Sequence, residues 1–188
     1  SAALCDALAE AADLGAGAEW QEAEGEVIFD PDGVLEAYEL RVALLDALAP
    51  EAGGTHYESV LREELEEADR DRAERFAEAR EVLPDGDLRA ISELQRLVVR
   101  HRESKLANQH LLSLADLYAD LAVEYVQERP PEGLRFDPPA FEELVDSASR
   151  LYQAVANQDG STEKLEAQRR LESFLAFTLR VDRDRFSR

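Results

Sequence analysis

The sequence predicts an all-α protein, an up-and-down antiparallel bundle of five or six helices. One of these is long, about 40 residues. Three observations lead there. Alanine, leucine, glutamate and arginine, all good helix formers, dominate the composition. Apolar side chains recur three and four residues apart rather than alternating. Most glycines and prolines gather in short breaks between those stretches. At 21.0 kDa the chain reads as one all-helical domain over residues 1–188.

Residues 2–14 set Leu4, Leu8, Ala11 and Ala12 on one face of a short helix, ended by Gly15 and Gly17. The rest of 1–28 is a connecting segment in which Trp20 and the Val27-Ile28-Phe29 trio read as buried anchors. Residues 29–128 carry helices one to three. The first starts at Phe29-Asp30-Pro31: Asp30 caps, Pro31 suits the first helical position, and Phe29 staples onto Val34. It runs to about Ala49 along Val34, Tyr38, Val42, Leu45 and Leu48, and Pro50 and Gly53-Gly54 stop it.

The second helix opens with Thr55-His56-Tyr57-Glu58, which fits a capping box, and runs to about Val82. Between Leu65 and Phe76 it is Glu, Asp, Arg and Ala, which predicts a largely solvated helix. Pro84-Asp85-Gly86-Asp87 is a turn and cap. Residues 88–128 contain no Gly or Pro and are read as the long helix. Its stripe Ile91, Leu94, Val98 gives way, out of register, to Leu111, Leu114, Tyr118, Leu121 and Tyr125. The helix therefore bends near 100–110, or its halves pack on different neighbours.

Pro130-Pro131-Glu132-Gly133 ends that helix, and 134–180 is read as a C-terminal helical hairpin followed by a tail, 181–188. Phe136-Asp137-Pro138 repeats the earlier start, with Phe136 able to staple onto Phe141. The residues downstream of the two starts do not match, which favours convergence on a good cap over duplication. A last helix, capped near Ser161, carries Leu165, Leu171, Phe174, Leu175, Phe177 and Leu179.

Charge limits the function. Forty-two Asp and Glu against 21 Lys and Arg leave a formal net charge of −21, and only two of the cations are lysine. Such a surface repels itself and polyanions at low salt and suits a salt-rich cytoplasm, so the expected source is a halophile. High-GC codon bias would also make lysine scarce. Nucleic-acid binding is not expected, since no aromatics interleave with basic residues. No signal-peptide pattern and no run near 20 apolar residues is visible, which predicts a cytoplasmic protein away from the membrane. Cys5 stands alone, so no internal disulfide or multi-cysteine zinc site is expected; it reads as a small apolar residue.

Catalytic patterns are sparse. None of His56, His101 or His110 follows a Glu by three residues, against a di-iron carboxylate bundle. No glycine-rich phosphate loop or nucleophile setting appears. An all-α magnesium-dependent nucleotide hydrolase would need Glu63, Glu64 and Glu67 to face Asp116, Asp120 and Glu124, but such spacings arise by chance in so acidic a chain. No metal, cofactor or catalytic residue is expected.

The outlier is a basic island, residues 96–105, where Arg96, Arg100, His101, Arg102 and Lys105 crowd together. One reading has these side chains neutralise acids on helix two's 63–81 run. The other makes them a site for an anion or an acidic partner. The function expected from the whole is a non-catalytic interaction or scaffold protein, binding a protein partner or itself as a homodimer. The apolar residues Leu111, Leu114, Tyr118, Leu121 and Tyr125 are the expected association surface. An anion- or nucleic-acid-binding module built on the island 96–105 is the alternative, and the magnesium-dependent all-α nucleotide hydrolase is the second.

Overall fold

Six helices account for most of the described residues; the computed structural model describes residues 22–23, 26–27 and 31–186. Two short strands come first, β1 (Glu22–Ala23) and β2 (Glu26–Val27), antiparallel with Glu22 opposite Val27. The helices are α1 (Pro31–Ala52), α2 (Tyr57–Ala79), α3 (Gly86–Arg100), α4 (Ala107–Glu128), α5 (Pro138–Ala156) and α6 (Lys164–Phe186). The expected 2–14 helix, Cys5, Trp20 and the Phe29-Asp30 cap lie outside the described residues. The chain forms two compact units that divide between Leu97 and Val98, inside α3.

In the first unit α1 and α2 run antiparallel, with Val42, Leu45, Ala52, Leu61 and Ala68 buried between them. Pro50 does not itself stop α1, which continues to Ala52 and ends directly before Gly53-Gly54. A proline in the last turn forfeits only one helical hydrogen bond. Ala52 is fully buried, and its carbonyl accepts from both the amide and the hydroxyl of Thr55. The capping box takes an altered form. Thr55 Oγ1 accepts from the Tyr57 amide at 3.2 Å, while Glu58 reaches back to the Gly54 amide at 3.0 Å.

Helix α2 ends at Ala79, and the chain then doubles back through Leu83. Asp85 takes a left-handed φ of 52° there, and Gly86 opens α3. A Cβ on Gly86 would stand 1.8 Å from the Arg80 carbonyl oxygen, so only glycine lets the two backbones pass.

The single long helix over 88–128 is not present; the chain breaks at 101–106 into α3 and α4. The break falls where the apolar stripe changes register. His101 is buried at the break, and Ser104 turns the chain, its hydroxyl accepting from the Leu106 amide at 3.0 Å. Short polar side chains offer the backbone such alternatives to a helical bond, and no glycine or proline is required.

In the second unit α4, α5 and α6 pack in up-down-up order. Tyr125 at the end of α4 meets Asp137 and Phe141 at the start of α5, while Phe141 and Tyr152 of α5 meet Phe177 and Phe174 of α6. Pro138 occupies the first turn of α5, and Phe136 packs on Phe141 with ring centroids 5.6 Å apart. The Asp137 side chain makes no cap; instead the Tyr125 hydroxyl holds the Asp137 backbone, accepting from its amide at 2.8 Å. Leu114 and Leu121 are buried, and Leu111, Tyr118 and Tyr125 pack against the core that Leu112, Ala115 and Ala122 share with α5 and α6. The five residues expected to form an association surface are thus buried or half-buried.

Candidate functional site

Helix α2 is not the solvated element its composition suggests. Glu66, Asp69 and Arg72 are buried along it, beside Leu61, Ala68, Ala73 and Phe76. Ion pairs from both neighbouring helices make this tolerable. Arg41 of α1, itself buried, reaches Asp71 at 3.0 Å and Glu64 at 3.7 Å. Arg72 reaches Glu93 of α3 at 2.7 Å and Glu39 of α1 at 3.6 Å. Arg96 of α3 bridges Asp69 at 3.0 Å and Glu93 at 3.1 Å. Buried charge is costly unless paired, and here each cation faces two carboxylates.

The pairing is incomplete at hydrogen-bond level. Arg41, Arg72 and Arg96 spend their terminal nitrogens and leave Nε buried without an acceptor. Glu93 Oε2 lies within ion-pair distance of Arg96 yet accepts no hydrogen bond. The sequence carried one signal of this layer. Arg72 occupies a regular place in the stripe Leu61, Leu65, Ala68, Phe76, Ala79, where a solvated residue would not fall.

The second unit holds a smaller network. Tyr152 of α5 donates to Asp116 of α4 at 2.6 Å, and Arg170 of α6 pairs with the same carboxylate and with Glu166 at 2.9 Å. Burial, and then the hydrogen bond to Asp116, push the Tyr152 phenol well above its ordinary pKa. These four side chains satisfy one another and tie three helices together. A second tie joins helix starts. Ser161 accepts from Asn108 at 3.0 Å and from the Glu163 amide at 3.1 Å, and donates to the Glu163 carboxylate at 2.8 Å.

The basic island is divided by the structure. Arg96 belongs to the ion-pair layer of the first unit. His101 is turned inward and meets His110 edge-on, with ring centroids 6.3 Å apart. Arg100, Arg102 and Lys105 are exposed around the turn, and Arg102 lies 3.7 Å from Glu103. Of the acids considered for magnesium, Glu64 faces Arg41, and Asp116 is held by Tyr152 and Arg170. Among the described residues, no group of three or more His, Cys, Asp or Glu side chains is arranged to hold a metal ion. No described helix is long and apolar enough to cross a membrane.

The exposed face of α6 was not singled out from sequence. Phe174, Thr178 and Val181 point inward, whereas Leu165, Glu172, Ala176, Leu179 and Arg183 lie along the outer stripe. Leu165 and Leu179 are 67% and 69% exposed. The available signal was the surplus of apolar positions in 165–179, more than one face of a helix needs.

No family model matches the chain, and no curated protein or solved structure shows significant similarity to it.

Proposed function

We propose that this chain is a non-catalytic helical interaction protein of a halophile, binding a protein partner or a second copy of itself through an exposed helix face. The observation that carries this reading is the pair Leu165 and Leu179. Both stand in solvent on one stripe of α6, in a chain whose charge of −21 otherwise favours solvation. Apolar side chains sharing a stripe are an association surface more readily than leucines scattered singly. The titratable side chains of the buried networks are engaged with one another, which suits holding helices together rather than turning over a substrate.

Crosslinking in native extract at high salt tests this, with the wild-type chain and a Leu165→Asp, Leu179→Asp variant as baits. A crosslinked product, self or foreign, that the variant loses is expected. A turnover of nucleotides with magnesium, or no leucine-dependent product at all, overturns the reading.

The alternative is an anion-binding module at Arg100, Arg102 and Lys105, which are exposed within six residues of chain. A rise in melting temperature with inorganic polyphosphate, lost in the triple glutamine variant, would favour it.

A further inference from the structure

We infer that the C-terminal part of the outer stripe of α6, Glu172 to Arg183, pairs two copies of this chain about a two-fold axis, helix against antiparallel helix. This rests on the interaction reading proposed above and names the partner as a second copy. Four exposed residues stand in an order that permits this. Glu172, Ala176, Leu179 and Arg183 follow at spacings of four, three and four, so they form one stripe. Read backwards, the stripe is its own complement. With the axis between Phe177 and Thr178, Glu172 of one copy meets Arg183 of the other, and Ala176 meets Leu179. Symmetry then supplies each contact twice.

Each layer is physically apt. Leucine against alanine fills a gap that two leucines would overfill, and lets the helices approach closely. Among the described residues, exposed Glu172 has no ion pair and Arg183 pairs only with its neighbour Asp184, at 3.4 Å. Long-range charge is least adverse here. Helix α6 carries six basic against four acidic side chains, the largest positive surplus of any described helix. Two copies meeting at α6 therefore bring together the least repulsive part of a strongly acidic chain.

Charge exchange tests the register. Sedimentation equilibrium is run in about 1 M KCl, where the Debye length of about 3 Å removes distant repulsion but not contact pairs. The wild type is expected to dimerise. Glu172→Arg and Arg183→Glu each place like charges opposite one another twice and should weaken the dimer at least about tenfold. The double exchange restores both pairs and should recover the wild-type constant to within about threefold. Circular dichroism checks that each variant keeps its helix content, as exposed positions should. A wild type that stays monomeric to about 1 mM overturns self-pairing, although a foreign crosslinked partner would still uphold the interaction reading. A dimer indifferent to both single exchanges also overturns it, because the contact then lies elsewhere.

Discussion

The guanidinium of Arg96 on α3 lies 3.0 Å from the carboxylate of Asp69 on α2, and the Asp69 side chain is 1% exposed. A buried carboxylate that loses its cation is costly, about 3–5 kcal/mol for a fully buried pair, while exposed pairs contribute about 0–1 kcal/mol. Arg96 itself is 38% exposed, so the value falls between.

Arg96→Ala should therefore lower the unfolding free energy by about 2–4 kcal/mol, against less than about 1 kcal/mol for Arg102→Ala, whose pair with Glu103 is solvated. Urea unfolding of both variants measures this. Equal, small losses would mean that Asp69 does not depend on Arg96.

That contrast shows what sequence reading could and could not reach. The start of α5 was legible because its determinants are local: Pro138 sets φ, and Phe136 and Phe141 are five residues apart. The change of stripe near 100–110 was visible, but the break itself was not. It depends on a Ser104 hydroxyl and on burial of His101, neither of which is a helix-breaking signal. The buried charges of α2 were misread for a different reason. Their partners lie 21 to 33 residues away on other helices, and composition cannot show which arginine will face which acid. The island 96–105 looked continuous in sequence, yet Arg96 is committed to Asp69 while Arg102 is in solvent.

Gly86→Ala should be among the most damaging small substitutions in the chain. The added methyl would meet the Arg80 backbone carbonyl, not the end of a flexible side chain, so the turn between α2 and α3 must open. A loss of at least about 2 kcal/mol is expected, with Gly54→Ala, which meets nothing within 4 Å, as the comparison for left-handed strain alone. Thermal melts of the two variants decide it. A milder loss at Gly86 than at Gly54 would show that the close approach is absent.

Glu163 links the fold to acid. The Ser161 hydroxyl, then the Thr162 hydroxyl, its own amide and the Gln109 side chain hold its carboxyl down to about 2. In the unfolded chain a glutamate titrates near about 4.3. The folded group therefore favours stability above that value, and the contribution is lost as pH falls toward 2. Wild type should thus lose more stability than Glu163→Gln between about pH 5 and 2, and the gap between them should be constant above pH 5. A carboxyl NMR titration gives the midpoint directly. An ordinary midpoint near 4.3 would remove Glu163 from the cap of α6.

Salt addresses the whole surface. With a net charge of −21 the folded chain repels itself, and screening shortens the range of that repulsion from about 10 Å at 0.1 M to about 3 Å at 1 M. Salt also weakens favourable pairs, but unequally. Exposed ones such as Glu58–Arg62, at 3.2 Å, are worth only a few tenths of a kcal/mol. The pairs of Arg72 with Glu93 and Arg96 with Asp69 are sheltered and should be screened little. Repulsion is then the larger loss, so the melting temperature should climb from 0.1 to 2 M KCl, most of it below about 1 M where the screening length changes fastest. Glu63→Gln with Glu67→Gln removes two exposed negative charges from α2 and should flatten the climb while raising stability at low salt. A melting temperature that stays level or falls over this range would end the halophile reading and would mean that surface repulsion does not set the stability of this fold.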